Sequence, residues 1–413
     1  MSPHRLLANL EKFKAITATP GDGVTRFSWT EEDRAAKRLL ADLCRGAGLE
    51  VAFDGAGNLR AQSKRGGDGP AVALGSHLDS VRNGGSLDGV YGVAAALEAI
   101  QSILESGASL ARPLRLMAFA EEEGSNFGCT CLGSKLVCGQ ADANFLAGLS
   151  ADGESAWDRL IRHGLDPAGL PGQQISPANT LCFLEAHIEQ NDRLESEGAA
   201  VGVVSRIHGM RLCETVFRGV SDHAATPMAH RRDPMLAFAE HACALGSLCD
   251  EYGGELAATV GKIQCRPNSP IVSAQSVLFT TDLRHPDKAT LAGAMAEANR
   301  LADAAASRHG VAASHRLLSA SGGVSLDPRL RSLLGRLADE EGARWLELPS
   351  WPAHDAAAMA CVVPSAMIFV PSVRGLSHCK EEFTRPEDLC LGARILEKAA
   401  LALASEADPL AEY

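Results

Sequence analysis

No CxxC pair occurs anywhere in the chain, although 12 cysteines are scattered along its 413 residues. A structural zinc site built from thiolates is therefore not expected, and the cysteines read as small buried hydrophobes of a cytosolic chain. Also missing is any run of about 18 apolar residues, so no transmembrane helix is expected. The N-terminal Met1-Ser2-Pro3-His4-Arg5 leads into a segment carrying Glu11, Lys12 and Lys14. It lacks the apolar core of a signal peptide, which points to the cytoplasm. Basic residues are in deficit: 39 Lys and Arg against 51 Asp and Glu leave a net charge of −12. Nucleic acid and anionic membranes both require a basic face, so neither is expected as a partner. There is no internal repeat and no low-complexity tract.

What is present is a soluble globular composition, 46% hydrophobic and 22% charged, in a chain long enough for two or three domains. The first half alternates helical and strand-like segments, as an α/β domain should. Glu31 to Leu43 reads as a helix, Leu49 to Phe53 and Leu59 to Gln62 as strands, and 54–58 as the turn between them. Strands at Ala71 and at Leu114 to Ala120 flank a buried helix from Gly89. Another apolar run, Leu181 to Leu184, follows. From about Gly209 the pattern changes to strand, helix, strand, strand, helix, an α+β insert. The α/β character then returns, with a buried strand at Ala366 to Val370. The expected organisation is one discontinuous α/β domain, 1–208 with 325–413, interrupted by a smaller domain at 209–324.

Apolar strands in this pattern run straight into acid or imidazole side chains. Gly75-Ser76-His77-Leu78-Asp79 and Asp88-Gly89 follow the first, Glu121-Glu122-Glu123-Gly124 the second, and His187/Glu189 the third. Ser377-His378 follows the fourth closely. Carboxyl ends of strands are where α/β folds keep their active sites. Imidazole with carboxylate and without thiolate suits zinc, manganese or cobalt. An aspartate in a glycine-rich loop can present both oxygens to two ions, and Asp79 is placed to orient the His77 ring. Adjacent glutamates on an extended backbone point in opposite directions, so one can bind metal while its neighbour acts as general base. A lone histidine or an isolated glutamate run is usually a surface feature. Four clusters at four strand ends are not explained that way.

These motifs, together with Gly57-Asn58-Leu59, Asn83-Gly84-Gly85, His187-Ile188-Glu189-Gln190, Asp282-Leu283-Arg284-His285-Pro286 and His354-Asp355, resemble the two-metal amidohydrolases. That family includes N-carbamoyl-L-amino acid hydrolases, β-ureidopropionases and allantoate amidohydrolases, relatives of aminoacylase and carboxypeptidase G. The resemblance implies a zinc-peptidase-like catalytic domain with an inserted lid and dimerisation domain, and a homodimer. It implies two divalent ions per subunit, zinc or manganese, with cobalt or nickel as further options. By the same resemblance His77, Asp88, Glu123, His187 and His378 are ligands, with Asp88 bridging, and Glu122 is the general base. His223 belongs to the oxyanion site, and Gln190, Arg284 and His354 contact a small amide substrate that carries a carboxylate.

Three departures from the family pattern stand out. The lid motif His223-Ala224-Ala225-Thr226-Pro227-Met228 is one residue short and lacks a glycine. The family's substrate-binding asparagine falls on Ile271. Ser350-Trp351-Pro352-Ala353-His354-Asp355 replaces two glycines by Trp351 and Ala353. The expectation is an intact hydrolytic centre whose pocket favours a more apolar or aromatic substrate. The plainer alternative is that Trp351 merely repacks the wall. Rival readings are an aminoacylase or dipeptidase and a non-catalytic ligand-binding relative.

Overall fold

The structure of the chain, a computed structural model, describes residues 1–406 and 410. The expected second catalytic segment, 325–413, thus includes residues 407–409 and 411–413 that lie outside the described ones. The chain divides into two compact units, Met1–Ile207 with Ser325–Tyr413, and His208–Val324.

The larger unit is built on a mixed β-sheet. At its centre four strands lie side by side and parallel, in the order Leu114–Phe119, Ala71–His77, Thr180–Ile188, Ser365–Val370. Register pairs His77 with Phe119, and His187 with Phe369. The ends of these strands therefore fall in one row. Each strand is buried on both faces, which is why it reads as continuous rather than alternating apolar sequence. Side chains of period two divide between two cores. Val72, Leu74, Leu116, Leu184 and Ile368 face a layer containing the helices Pro3–Lys14, Val90–Ser106 and Pro386–Ser405. Met117, Phe119, Phe183, Met367 and Phe369 face the other side, with Phe119 edge-on to Phe183 at 5.8 Å. Truncating one of these phenylalanines would cost about 3–5 kcal/mol.

Val90–Ser106 starts immediately after Asp88-Gly89, and nearly all of its first three turns are buried. Gly89, at φ +66°, makes this approach feasible, since a Cβ there would lie 2.4 Å from the His77 ring.

The smaller unit is an antiparallel sheet of four strands, ordered Ala257–Arg266, Ser276–His285, Gly209–Arg218, Ala312–Ser321, with the helices Pro234–Glu251 and Lys288–Arg308 packed on it. The last of these strands adds to the sequence expectation. It is a mostly exposed edge strand, so its sequence carries no apolar alternation to announce it.

His241 is buried in this unit against Phe217 and Phe279, with ring centroids 6.5 and 5.3 Å away. Its Nδ1 has no partner among the described residues. Burial, with a smaller push from His315, lowers its pKa from 6.5 to about 4. A depressed folded-state pKa means that the unfolded chain takes up the proton first. Stability is thus complete above about pH 6.5 and is lost as pH falls towards 4. Urea unfolding at pH 7.5 and 5.5 should show wild type losing roughly 1 kcal/mol relative to His241→Leu. A gap independent of pH would contradict the assignment.

Candidate metal centre

Five side chains converge where the four parallel strands end. Asp88 lies at the middle, in the loop before Val90–Ser106. Its Oδ1 is 3.6 Å from His77 Nε2 and 3.3 Å from His187 Nε2. Its Oδ2 is 3.1 Å from His378 Nε2, which in turn is 3.4 Å from Glu123 Oε2. Two donor groups share Asp88, His77/Asp88/His187 and Asp88/Glu123/His378, and Glu185/His187/His354 forms a third, each with its ligand atoms within 4.8 Å of one another. Asp88 gives one oxygen to each of the first two. His378 reaches the centre from a loop, on a left-handed backbone at φ 56°.

The tautomers decide whether this donor set fits a cation. His77 Nδ1 lies 3.0 Å from the Asp79 carbonyl and His187 Nδ1 2.9 Å from the Ile188 carbonyl. A carbonyl only accepts, so both Nδ1 atoms carry a proton, and in the neutral rings both Nε2 atoms present lone pairs. Neutral rings would set lone pairs against carboxylate oxygens, so the arrangement calls for a positive charge between them, a proton or a metal ion. Glu123 Oε1 adds a buried oxygen with no hydrogen-bond partner among the described residues. The residues fit divalent ions with nitrogen and oxygen ligands.

Titration of the cluster reflects the same need for positive charge. Burial opposes a charge on His77, yet Glu122, Asp88 and Asp79 outweigh it and push its pKa well up. Burial opposes ionisation of Asp88, but its three histidine neighbours hold it well below the usual carboxylate range. For Glu123, burial and then Asp88 push the pKa up to about 7.

Glu122 stands beside this cluster, buried, with Oε2 3.7 Å from His77 Nε2 and Oε1 3.1 Å from Cys131 Sγ. Burial pushes its pKa well up, against the opposing pull of His77. Glu121 points elsewhere. Its carboxylate accepts from Asn126 N at 2.7 Å and Asn126 Nδ2 at 2.6 Å.

One expectation needs revision. Asp79 orients His77 through its backbone carbonyl rather than its carboxylate, which is 3.7 Å from the ring nitrogen. The carboxylate instead accepts from Glu122 N at 3.3 Å and Glu123 N at 3.1 Å, fixing the turn that separates base from ligand. Glu189 accepts from Arg193 N and Leu194 N, capping the helix Arg193–Glu197, and is no part of the cluster. Gln190 donates from Nε2 to Asp88 Oδ2 at 2.7 Å, so its amide is directed at the centre itself. His354 is buried, its ring 4.5 Å from that of His187 and its Nε2 2.9 Å from Ser350 Oγ. Trp351 is half-buried.

Within the smaller unit His223 is exposed, and its Nδ1 accepts from Ala225 N at 3.1 Å, leaving Nε2 as the outward donor of the neutral ring. Its backbone pairs with Val272, next to Ile271, whose side chain is 64% exposed. Arg284 is held by Asp282 at 3.2 and 3.3 Å.

A family model described as peptidase family M20/M25/M40 matches residues 73–402. The chain belongs to that family. An N-carbamoyl-L-amino acid amidohydrolase of Geobacillus stearothermophilus is 35% identical over 395 residues, 95% of this chain and 96% of the relative. An allantoate amidohydrolase of Escherichia coli is 34% identical over 388 residues, 92% of each. The solved structure of a hydantoinase/carbamoylase family amidase from Burkholderia vietnamiensis superposes with a TM-score of 0.89 at 32% identity, covering 98% of both chains. The M20/M25/M40 match spans all five converging side chains.

Glu382 was not singled out in the sequence, where it is one of an unremarked Glu381-Glu382 pair. In the structure it is buried and accepts from Leu87 N at 2.8 Å and Asp88 N at 3.1 Å. The Ser377 hydroxyl sits 2.8 Å from its Oε2 and 3.1 Å from Asp88 Oδ2. A Cβ on Gly85 would come within 1.9 Å of the Glu382 carboxyl, so this loop requires glycine. Glu382 therefore ties the Asp88 loop to the His378 loop. Glu382→Ala should weaken divalent-metal binding roughly 10- to 100-fold with helix content retained, measured by equilibrium dialysis and circular dichroism. Undiminished affinity would show that the tie is dispensable.

Proposed function

We propose that this M20/M25/M40 member is a metal-dependent hydrolase of a linear amide or ureido C–N bond in a small substrate carrying a carboxylate. The observation that carries this reading is Asp88, with one oxygen facing His77 and His187 and the other facing His378 beside Glu123. His77, Asp88 and His187 would hold one divalent ion, and Asp88, Glu123 and His378 a second. When bound, such ions acidify water and polarise a carbonyl. Zinc or manganese suits this nitrogen and oxygen donor set, with cobalt or nickel also accommodated.

Glu122 takes the proton from the attacking water and returns it to the leaving nitrogen. Its elevated proton affinity, caused first by burial, matches that task. His223 donates from Nε2 to the developing oxyanion. Arg284, its fork held by Asp282, grips the substrate carboxylate by a bidentate contact. The 209–324 segment acts as lid and dimerisation domain in a homodimer. The relatives' names support the bond class, since N-carbamoyl-L-amino acids and allantoate carry both a ureido group and a carboxylate. Twelve free cysteines suit a cytoplasmic protein. Among the described residues no helix is long and apolar enough to cross a membrane.

Ile271, exposed beside the backbone partner of His223, together with Trp351, supports preference for an apolar or aromatic side chain on the substrate.

Glu122→Gln should lower kcat by about 10²–10⁴-fold while metal content stays near that of wild type. Wild-type turnover in that variant would remove the base assignment. In steady-state assays kcat/KM should be higher for N-carbamoyl-L-phenylalanine than for N-carbamoylglycine or allantoate. The opposite order would overturn the substrate preference.

A further inference from the structure

The Glu121–Glu123 turn is clamped from one side by a short segment that the reaction as described leaves without a role. Three successive amides, Cys131 N, Leu132 N and Gly133 N, donate to three successive carbonyls, Glu122 O, Glu121 O and Ala120 O, at 2.8, 3.0 and 2.9 Å. These amides open the helix Leu132–Val137. They are donors that a helix start leaves unpaired, and here the glutamate turn satisfies them. The helix start and the glutamate turn are thereby locked in register.

Cys131 heads this helix in the left-handed conformation, φ 55° and ψ 35°, which a residue with a Cβ adopts at an energetic cost. Its carbonyl accepts from Lys135 N at 2.9 Å, and the Ser134 hydroxyl lies 3.1 Å away. With its backbone pinned in this way, the buried side chain is directed at Glu122, and Sγ lies 3.1 Å from Oε1. The other oxygen, Oε2, faces His77.

We propose that Cys131 is a positioning residue for Glu122. Its thiol donates to Oε1, so the carboxylate is held with Oε2 turned towards the reacting water. This rests on the assignment of Glu122 as the general base. A free carboxylate can rotate about its last torsion and present either oxygen or neither. One fixed oxygen removes that freedom before substrate arrives, and near-attack geometry is where such restriction contributes to rate. The hydroxyl of serine supplies the same donor on a shorter bond, whereas alanine supplies none.

The test uses the full-length protein loaded with zinc or manganese and N-carbamoyl-L-phenylalanine as substrate. Cys131→Ala should lower kcat roughly 10- to 100-fold with KM and metal content unchanged, and Cys131→Ser should recover most of the loss. Equal losses in both variants, or wild-type kcat in Cys131→Ala, would overturn the proposal. A second readout needs neither turnover nor a cysteine variant that folds. The infrared S–H stretch of the protein should contain a red-shifted component that moves to higher frequency in Glu122→Gln. An S–H envelope indifferent to that substitution also overturns the proposal. Full turnover in Glu122→Gln overturns the base assignment and the proposal together. An inactive Glu122→Gln beside a fully active Cys131→Ala overturns the proposal alone.

Discussion

Asp88 sits among three imidazole nitrogens, two facing Oδ1 and one facing Oδ2, and the rest of the site is arranged to sustain that. Hydrogen bonds from His77 and His187 to backbone carbonyls commit their Nδ1 protons elsewhere, so in the neutral rings each Nε2 meets the shared carboxylate as an acceptor. Acceptors at 3.3 and 3.6 Å from one oxygen repel unless a cation lies between them. His77, Asp88 and His187 are buried, and where the effective dielectric is low that repulsion is poorly screened. Positive charge, as protons on the imidazoles or as divalent metal, is what the shared carboxylate requires, so metal binding there is coupled to proton release.

The sheet supplies the rigidity this requires. Parallel register brings His77, His187 and the glutamate turn to the same edge, and apolar cores on both faces hold the strands there. Loops then make the finer adjustments. Gly89 admits the Asp88 loop against the imidazole, and Gly85 admits Glu382 beneath it. The Asp79 carboxylate sets the direction of the glutamate turn through two backbone amides. Glu382 and Asp79 act through backbone amides, while Gln190 and Ser377 bind the Asp88 carboxylate directly.

Much of this was legible beforehand because it depends on short-range pattern. An apolar run that stops at His77, at Glu121 or just before His187 announces both the strand and the ligand at its end. The pieces that escaped depend on contacts across long stretches of chain. Glu382 meets the Asp88 loop across 294 positions, and nothing local to Glu381-Glu382 marks one of them as buried. Cys131 read as a small buried hydrophobe, which it is by location, while its approach to Glu122 follows from a left-handed turn that its sequence does not signal. Glu189 shares a strand end with His187, but the start of the following helix claims its carboxylate. Ala312–Ser321 went unseen because an exposed edge strand needs no apolar face.

The central claim is that one carboxylate serves two ions. Metal content after saturation and gel filtration, measured by plasma emission spectrometry on wild type and Asp88→Ala, tests it most directly. The account predicts two divalent ions per wild-type chain and the loss of both in the variant, since each donor group loses its shared oxygen. Retention of an ion at wild-type affinity in Asp88→Ala would contradict it.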